Sequence, residues 1–299
     1  MDMKGLVIMN AYPAGEKFYR QSERIAAALN ELGVNTTTVK NGELSAMLTA
    51  DGRVETNGEP LDFAVYLDKD KYLGRALEKS GVRLFNRMDA IELCDDKALT
   101  ALALLETGIK TVETIPAPLC YTVNATPSEV FLKRVETLGY PLVAKKSYGS
   151  FGAGVRLVKD RQELLETEKE WLYLPHLYQR FVEESAGKDI RVIVIGGKAL
   201  AAIRRNAKEG EFRSNIELGG RGEQVELTKE YVDTAERCAL ALGLDYCGVD
   251  LLETKDGVAV CEVNSNAFFE GLEAATGIDV AAAYARHIIE EMTKRNSGI

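Results

Sequence analysis

Residues 248–266 read GVDLLETKDGVAVCEVNSN, two short aliphatic runs joined by the turn residues TKDG, and this pattern predicts a β-hairpin. Side chains of a strand alternate between its two faces, so Glu262 and Asn264 share one face and Asp250 can lie opposite them on the paired strand. Mg²⁺ prefers oxygen ligands and usually takes one or two carboxylates together with nucleotide phosphates. The hairpin therefore predicts a Mg²⁺ site, with a solvated polar face as the alternative.

A glycine-rich stretch lies upstream, where residues 147–155 read SYGSFGAGV after Lys145 and Lys146. Glycines allow a backbone to close over phosphates and to present N–H donors, while a lysine on the preceding strand supplies positive charge. No G-K-[ST] follows and the next segment reads as a strand, so this is not a Walker P-loop. We predict a flap that covers a nucleotide between two strands, with a plain hairpin turn as the alternative.

Composition narrows the class of protein. The chain has 299 residues, of which 46% are hydrophobic and 28% charged, and this is enough for two or three compact units. Its net charge of -9 argues against a nucleic-acid binder or a membrane-surface protein, because both need a basic face. No apolar run approaches the roughly 20 residues of a membrane span, and the opening MDMKGLVIMN reads as a strand and not as a signal peptide. Five scattered cysteines without a C-x-x-C predict reduced thiols in a cytoplasmic protein.

The chain divides into three stretches. In residues 1–94, apolar strands alternate with helical patterns, which predicts a parallel sheet covered by helices. Residues 95–176 begin with a predicted helix over residues 95–106 and contain the glycine-rich stretch. Residues 177–299 contain antiparallel-looking strands, an amphipathic helix and the hairpin. The predicted fold is α/β with an α+β C-terminal part.

Six motifs carry a resemblance to a known family. In chain order they read DDKALT, PLVAKKSYGSFGAGV, YQRFVEESAGKDIRVIVIGG, AKEGEFRSN, GVDLLE and EVNSNAFFEGLEAATGID. Together they resemble an ATP-grasp ligase of the RimK type, from about residue 95 to residue 279. The resemblance implies a pre-ATP-grasp α/β domain over 1–94, a small ATP-grasp subdomain with the glycine-rich loop over 95–176, and a C-terminal subdomain with the magnesium site over 177–299. Six ordered motifs are specific for the fold and for ATP, and much less so for the substrate.

The resemblance also assigns residues. Those assigned to ATP are Lys97, Lys145, Ser147, Gln179, Arg180, Phe181, Glu184, Asp189, Arg213, Ser214 and Asn215. Within this set, the two lysines match phosphate ligands, residues 179–181 match the hinge that receives adenine, and Glu184 falls near the ribose. Arg191 belongs to the same D-I-R motif as Asp189 and receives no role. Asp250, Glu262 and Asn264 match the ligands of two Mg²⁺ ions, with Mn²⁺ as an alternative.

The implied activity is that of an ADP-forming acid–amino-acid ligase, which adds glutamate or a related amino acid to a carboxylate through an acylphosphate. Arg205 and Arg213 are the candidate catalytic residues, as cationic clamps on the transferred phosphoryl group. The implied partners are a small-molecule or peptide carboxylate and an amino acid, without nucleic acid or membrane. Homo-oligomer formation is left open.

Other functions remain alternatives. One is a nucleotide-binding module that keeps the fold without catalysis, and intact Asp250, Glu262 and Asn264 weigh against it. Another is a ligase of the D-alanine type or a carboxylase subunit, against which the AKEGEFRSN segment weighs. The stretch SNAFFEG replaces the small residue and Pro-Gly common in the family. Adjacent residues of an extended segment point in opposite directions, so one of Phe268 and Phe269 is expected to anchor in the core and the other to face the substrate cavity.

Overall fold

The computed structural model describes residues 3–214 and 220–297. The first part of the chain forms a four-stranded parallel sheet in the order β2-β1-β5-β6, with helices against it and a small hairpin, β3–β4, beside it. Its elements are β1 (Lys4–Met9), α1 (Glu16–Glu31), β2 (Asn35–Lys40), β3 (Ala46–Leu48), β4 (Val54–Thr56), β5 (Phe63–Leu67), α2 (Lys71–Lys79) and β6 (Arg83–Phe85). Central strand β5 is buried along its whole length, as expected for a parallel strand between two layers.

Two short helices lead out of this sheet, α3 (Met88–Asp95) and α4 (Lys97–Leu105). The single helix predicted over residues 95–106 is wrong at its start, because Asp96 has extended backbone angles and interrupts the helical path. The Asp96 carboxylate accepts hydrogen bonds from the backbone N–H groups of Ala98 and Leu99, which makes it the N-cap of α4. Lys97 consequently stands at the first position of α4.

The next part is an antiparallel sheet in the order β7-β10-β8-β9, and the glycine-rich loop joins β8 to β9. Its elements are β7 (Thr114–Pro116), α5 (Glu129–Glu136), β8 (Leu142–Lys146), β9 (Val155–Val158), α6 (Arg161–Trp171) and β10 (His176–Arg180). The predicted boundary after residue 176 falls at the first residue of β10, whose partners lie in this sheet.

The last part is a five-stranded antiparallel sheet in the order β13-β12-β11-β14-β15. A short 3-10 turn (Glu183–Ser185) precedes it, and its elements are β11 (Lys188–Ile195), β12 (Lys198–Asn206), β13 (Arg221–Val225), α7 (Lys229–Leu242), β14 (Tyr246–Thr254), β15 (Gly257–Asn264), α8 (Glu270–Thr276) and α9 (Val280–Ser297). Strands β14 and β15 are the predicted hairpin. The three sheets confirm the predicted α/β class with an α+β C-terminal part.

The hydrophobic cores show which parts are joined. One core contains Phe63 and Phe85 of the first sheet together with Tyr246, Phe269 and Tyr284 of the last part. Asn86 reinforces the junction, because its side-chain amide donates hydrogen bonds of 2.8 Å to the backbone carbonyls of Tyr246 and Ser265. The middle sheet has a core of its own with α5 and α6. The first and last sheets are thus packed as one body, and the middle sheet carries the glycine-rich loop towards it.

Candidate functional site

A cavity of about 120 Å³, which we call the inner cavity, lies between the middle and last sheets beneath the glycine-rich loop. The candidate residues that line it are Lys97, Lys145, Gln179, Arg180, Phe181, Asp189, Arg205, Arg213, Ser214, Asp250 and Glu262. The structure therefore brings candidates from the second and third predicted stretches, residues 95–176 and 177–299, together around the inner cavity. This volume lies below the range of about 300–1,000 Å³ usual for ligand pockets, because the loop lies directly on the cavity.

Lys145 gives the inner cavity a buried positive charge. Only 7% of the residue is exposed, and its ammonium lies 3.4 Å from the Cys261 thiol. Burial lowers the pKa of Lys145, but Cys261 and Glu262 outweigh it and hold the pKa above its ordinary value. Within the described ranges Lys145 has no carboxylate within 4 Å. A buried cation without a close ion pair suits an anionic ligand.

Two further cations, Lys97 and Arg213, are hydrogen-bonded to the backbone of the glycine-rich loop. Lys97 donates a hydrogen bond of 3.0 Å to the backbone carbonyl of Gly149, and Arg213 donates one of 3.0 Å to that of Gly152. Arg213 also binds Glu211, and these hydrogen bonds lower the pKa of Glu211 to about 2, so that pair is ionised. A phosphate chain in the cavity would compete with the loop carbonyls for both cations. The position of the loop is therefore tied to two cations, Lys97 and Arg213, that also line the cavity.

The three candidate metal ligands meet on the hairpin. Asp250 is paired directly with Glu262 in the β14–β15 register, and a register shift follows Asp250. The side-chain amide of Asn264 donates to the Asp250 carboxylate at 3.3 Å, which leaves its own oxygen available to a cation. Glu262 is partly exposed, and one of its oxygens lies 3.5 Å from the Lys97 ammonium. The donor set of two carboxylates and one amide fits a Mg²⁺ that completes its shell with phosphates and water.

No group of three His, Cys, Asp or Glu side chains placed to hold a metal occurs in the part of the chain that the structure describes. This agrees with a set that contains only two carboxylates. Such a set binds Mg²⁺ mainly in company with a nucleotide.

Two arginines fix the Asp250 carboxylate. Arg191 donates to both of its oxygens at 2.7 Å, and Arg205 donates to one of them at 2.8 Å. Burial raises the pKa of Asp250, but the two guanidinium groups outweigh it, and the pKa lies below its ordinary value. Arg205 also binds Asp189, which accepts a hydrogen bond of 2.6 Å from the Ser214 hydroxyl. Arg205 is thus almost fully buried between two carboxylates.

The other end of the inner cavity is apolar. Its walls include Val143, Val155 and Leu252, beside the segment that follows β10. The guanidinium of Arg180 binds Glu113 and donates to the backbone carbonyl of Leu138 at 2.8 Å, so its charge is already paired. An apolar slot with backbone groups at one edge suits a flat heterocycle.

Two of the candidate residues that the structure describes line neither the inner cavity nor the neighbouring one. Ser147 is buried and lines neither cavity, and its backbone carbonyl and N–H are hydrogen-bonded to the backbone of Lys97 and Pro175. Glu184 stands in the 3-10 turn, 3.4 Å from the ammonium of Lys255, and its neighbour Ser185 lines the cavity instead. Asn215 lies outside the described residues.

A second cavity of about 330 Å³, which we call the outer cavity, adjoins the first. Asn264 lines it, and Glu262 and residues 149–151 of the glycine-rich loop line both cavities. Phe268 faces the outer cavity, whereas Phe269 is 1% exposed and belongs to the core shared by the first and last sheets. The expectation that one ring anchors the segment and the other faces a cavity is confirmed.

Several residues of the outer cavity are not predicted from the sequence. Asn10 follows β1 and Asp68 follows β5, so both stand at the carboxyl end of a parallel strand, where ligands of open α/β sheets bind. That rule was the available signal. Arg191 also lines the outer cavity, while its guanidinium is turned to Asp250. Phe151 lies at the tip of the glycine-rich loop and lines the outer cavity, and no pattern in the loop sequence predicts a role for its ring.

Comparison with known proteins found a matching family model and related sequences. Residues 94–288 match the model of the RimK-like ATP-grasp domain. Human N-acetylaspartylglutamate synthase A is 35% identical over 240 residues, which cover 79% of this chain and 59% of that protein. A probable alpha-L-glutamate ligase of Thioalkalivibrio sulfidiphilus is 39% identical over 209 residues, covering 69% of this chain and 67% of that protein. The chain therefore spans about three-fifths of the human relative's length.

Among solved structures, a RimK domain ATP-grasp protein from Sphaerobacter thermophilus is similar in fold, with a TM-score of 0.71 and 20% identity. The match covers 95% of this chain and 98% of that one. Across residues 3–214 and 220–297, no helix has the length and apolar character needed to span a membrane.

Proposed function

The chain belongs to the RimK-like ATP-grasp family, and from this membership we propose that it is an ATP-dependent carboxylate–amine ligase that forms an amide bond and releases ADP. In this proposal the inner cavity holds ATP and the outer cavity holds the carboxylate and the amine. One observation carries it. Glu262, with residues 149–151 of the glycine-rich loop, borders both cavities, so a metal-bound phosphate and an acceptor would meet at a shared wall.

The reaction needs two displacements. A carboxylate oxygen attacks the γ-phosphorus of ATP, the bond from that phosphorus to the β,γ-bridging oxygen breaks, and ADP leaves with the electron pair. The nitrogen of the free amine then attacks the carbonyl carbon of the acylphosphate. The bond from that carbon to the phosphate oxygen breaks, phosphate leaves with the electron pair, and the surplus amine proton passes to phosphate or solvent.

The chain's own residues contribute position and charge, which is what phosphoryl transfer requires. Lys145 and Lys97 would neutralise phosphate oxygens, and Arg213 would exchange its loop carbonyl for the transferred group. Arg205 is paired with two carboxylates, so we propose that it acts by holding Asp250 rather than as a free clamp. Mg²⁺ held by Asp250, Glu262 and Asn264 would neutralise charge on the phosphates.

The relatives suggest the substrates. Their names refer to synthesis of N-acetylaspartylglutamate and citrylglutamate and to ligation of glutamate. We propose glutamate or a related amino acid as the amine substrate and a small or peptide carboxylate as the other. Two metal ions, with Mn²⁺ able to replace Mg²⁺, belong to the same proposal.

The test is a substrate screen. The protein is incubated with ATP, Mg²⁺, glutamate and, in turn, N-acetylaspartate, citrate or a glutamate-ended peptide, and ADP and new amides are measured by chromatography and mass spectrometry. We expect ADP release that requires a carboxylate and an amide product of matching mass. Glu262→Gln should lose this activity because it removes one negative charge from the proposed Mg²⁺ site. Glu253→Gln, on β14 and paired with Arg204 away from both cavities, is the matched control.

If ADP is not released with any pair although an ATP analogue binds, the chain is a nucleotide-binding module and the ligase proposal fails.

A further inference from the structure

Three phenylalanines from three separate elements meet at the outer cavity. Phe18 lies on α1, Phe151 at the tip of the glycine-rich loop, and Phe268 in the segment after β15. The ring centroids of Phe18 and Phe268 are 5.0 Å apart, those of Phe151 and Phe268 are 5.7 Å apart, and those of Phe18 and Phe151 are 6.1 Å apart. These separations and the edge-to-face or tilted angles are the favourable arrangements for aromatic pairs.

A cation strengthens the same cluster. The Lys17 ammonium lies 3.5 Å from the centroid of the Phe151 ring and 4.7 Å from that of Phe268. An ammonium at these distances is attracted to the face of an aromatic ring. Helix α1 thus contacts the tip of the glycine-rich loop through Lys17 and Phe18.

The backbone of the loop tip supports this interpretation. Phe151 has a φ of 60°, a left-handed conformation that L-residues with a side chain rarely adopt. Such a conformation persists when surrounding contacts offset its cost, and it is frequent at lids and clamps. The contacts of the Phe151 ring with Lys17, Phe18 and Phe268 are the ones that hold it here.

We propose that Phe18, Phe151 and Phe268 form an aromatic latch that fastens the glycine-rich loop across the outer cavity and so protects the acylphosphate from water until the amine attacks. Phe151 is a positioning residue in this proposal, because it acts on the acylphosphate through the closed loop. The inference rests on the proposed ligase function for its chemical consequence, but the latch itself is a contact between elements.

The consequence is chemical. If the latch is released, a water oxygen attacks the carbonyl carbon of the acylphosphate and the bond from that carbon to the phosphate oxygen breaks. Phosphate leaves with the electron pair, the carboxylate is regenerated, and the water protons pass to phosphate and solvent. The net reaction is then hydrolysis of ATP to ADP and phosphate without an amide. A closed site prevents this side reaction. The latch should therefore set the number of amide bonds formed for each ADP released.

The first measurement needs no substrate. Hydrogen exchange of residues 149–154 is followed in the ligand-free wild type and in Phe18→Ala, Phe151→Ala and Phe151→Tyr. We expect at least about threefold faster exchange of this loop in both alanine variants and wild-type rates in the tyrosine variant, which keeps a ring. Phe131→Ala is the matched control, since Phe131 is a half-buried ring of the same middle part that packs on Tyr178, away from both cavities. Unchanged loop exchange in both alanine variants would overturn the latch whatever the protein catalyses.

The second measurement uses the carboxylate and glutamate pair found by the substrate screen. The ratio of amide formed to ADP released is measured for the same proteins. We expect a ratio near one for the wild type, Phe151→Tyr and Phe131→Ala, and a ratio below about one half for Phe151→Ala, because water then competes with the amine. A wild-type ratio in Phe151→Ala overturns the protective role. If the wild type releases no carboxylate-dependent ADP, the ligase function fails, and the exchange measurement alone then decides whether the latch exists.

Discussion

Replacement of Arg205 by methionine tests whether the charges around Asp250 are organised as the structure shows. Arg205 is 2% exposed, donates twice to Asp189 and donates once to Asp250 at 2.8 Å. Removing one partner of a buried ion pair costs about 3–5 kcal/mol, because a charge remains buried without compensation. Arg191 still holds Asp250 with two hydrogen bonds of 2.7 Å, so we expect a loss near the lower end, about 3 kcal/mol.

The assay is equilibrium unfolding in urea without nucleotide, followed by circular dichroism. Arg204→Met is the matched control, because this neighbour on β12 pairs with Glu253 while both side chains are about one-third exposed, and we expect a loss below about 1 kcal/mol. In the double variant Asp189→Asn/Arg205→Met the uncompensated charge on Asp189 is gone, so its loss should be smaller than the sum of the two single losses by at least about 1 kcal/mol. Additive losses, or equal losses for Arg204→Met and Arg205→Met, would refute this account of the buried charges.

Three further predictions follow from other features. Lys97 is bound to a loop carbonyl, and in the proposed function it gives up this hydrogen bond to bind phosphate. An ATP analogue with Mg²⁺ should therefore change the hydrogen exchange rates of residues 147–154, and unchanged rates at saturation would contradict this switch of partners. Phe269→Ala should lower unfolding free energy by about 3–5 kcal/mol, since its ring is core, whereas Phe268→Ala should cost less and alter acceptor preference. The ionised Asp250 stabilises the fold fully above its ordinary pKa of 3.8, and this contribution is lost as pH falls through its lowered folded-state pKa. Wild type and Asp250→Asn should therefore differ in unfolding free energy at pH 6, and the difference should begin to shrink at pH 3.8 and vanish only below the lowered folded-state pKa.

The hairpin and the family motifs could be read from the sequence because they are local. Alternation along β15 puts Glu262 and Asn264 on one face whatever the rest of the chain does. The pairing of Asp250 with Glu262 also needs the register shift between Asp250 and Leu251, because the register set by the turn alone would place Asp250 opposite Cys261. The glycine-rich loop is recognisable for the same reason. Local pattern failed at Asp96, because its side chain can either continue a helix or cap one, and the choice depends on contacts outside the window.

The outer cavity could not be read in the same way. Phe18 and Phe268 are 250 positions apart in the chain, and a single sequence contains no signal that brings them within 5.0 Å. The pairing of Arg191 with Asp250 has the same origin, since β11 and β14 are neighbours only in the folded sheet. The sequence pattern therefore predicts which side chains each strand carries. Which side chains of different elements contact each other is known only from the folded structure.

Because the first and last sheets share one core, the part of the chain that matches the family is smaller than the part that folds as one unit. The family match begins at residue 94, yet Phe63 and Phe85 lie before it and pack against Tyr246 and Tyr284. A fragment trimmed to the matched residues would lack Phe63 and Phe85 and would expose the rings of Tyr246 and Tyr284 that pack against them. It would also lose the side-chain amide of Asn86, which donates to two backbone carbonyls of the last part. Such a fragment would be prone to self-association, so biochemical work on this ligase-like module should retain the preceding sheet as part of it.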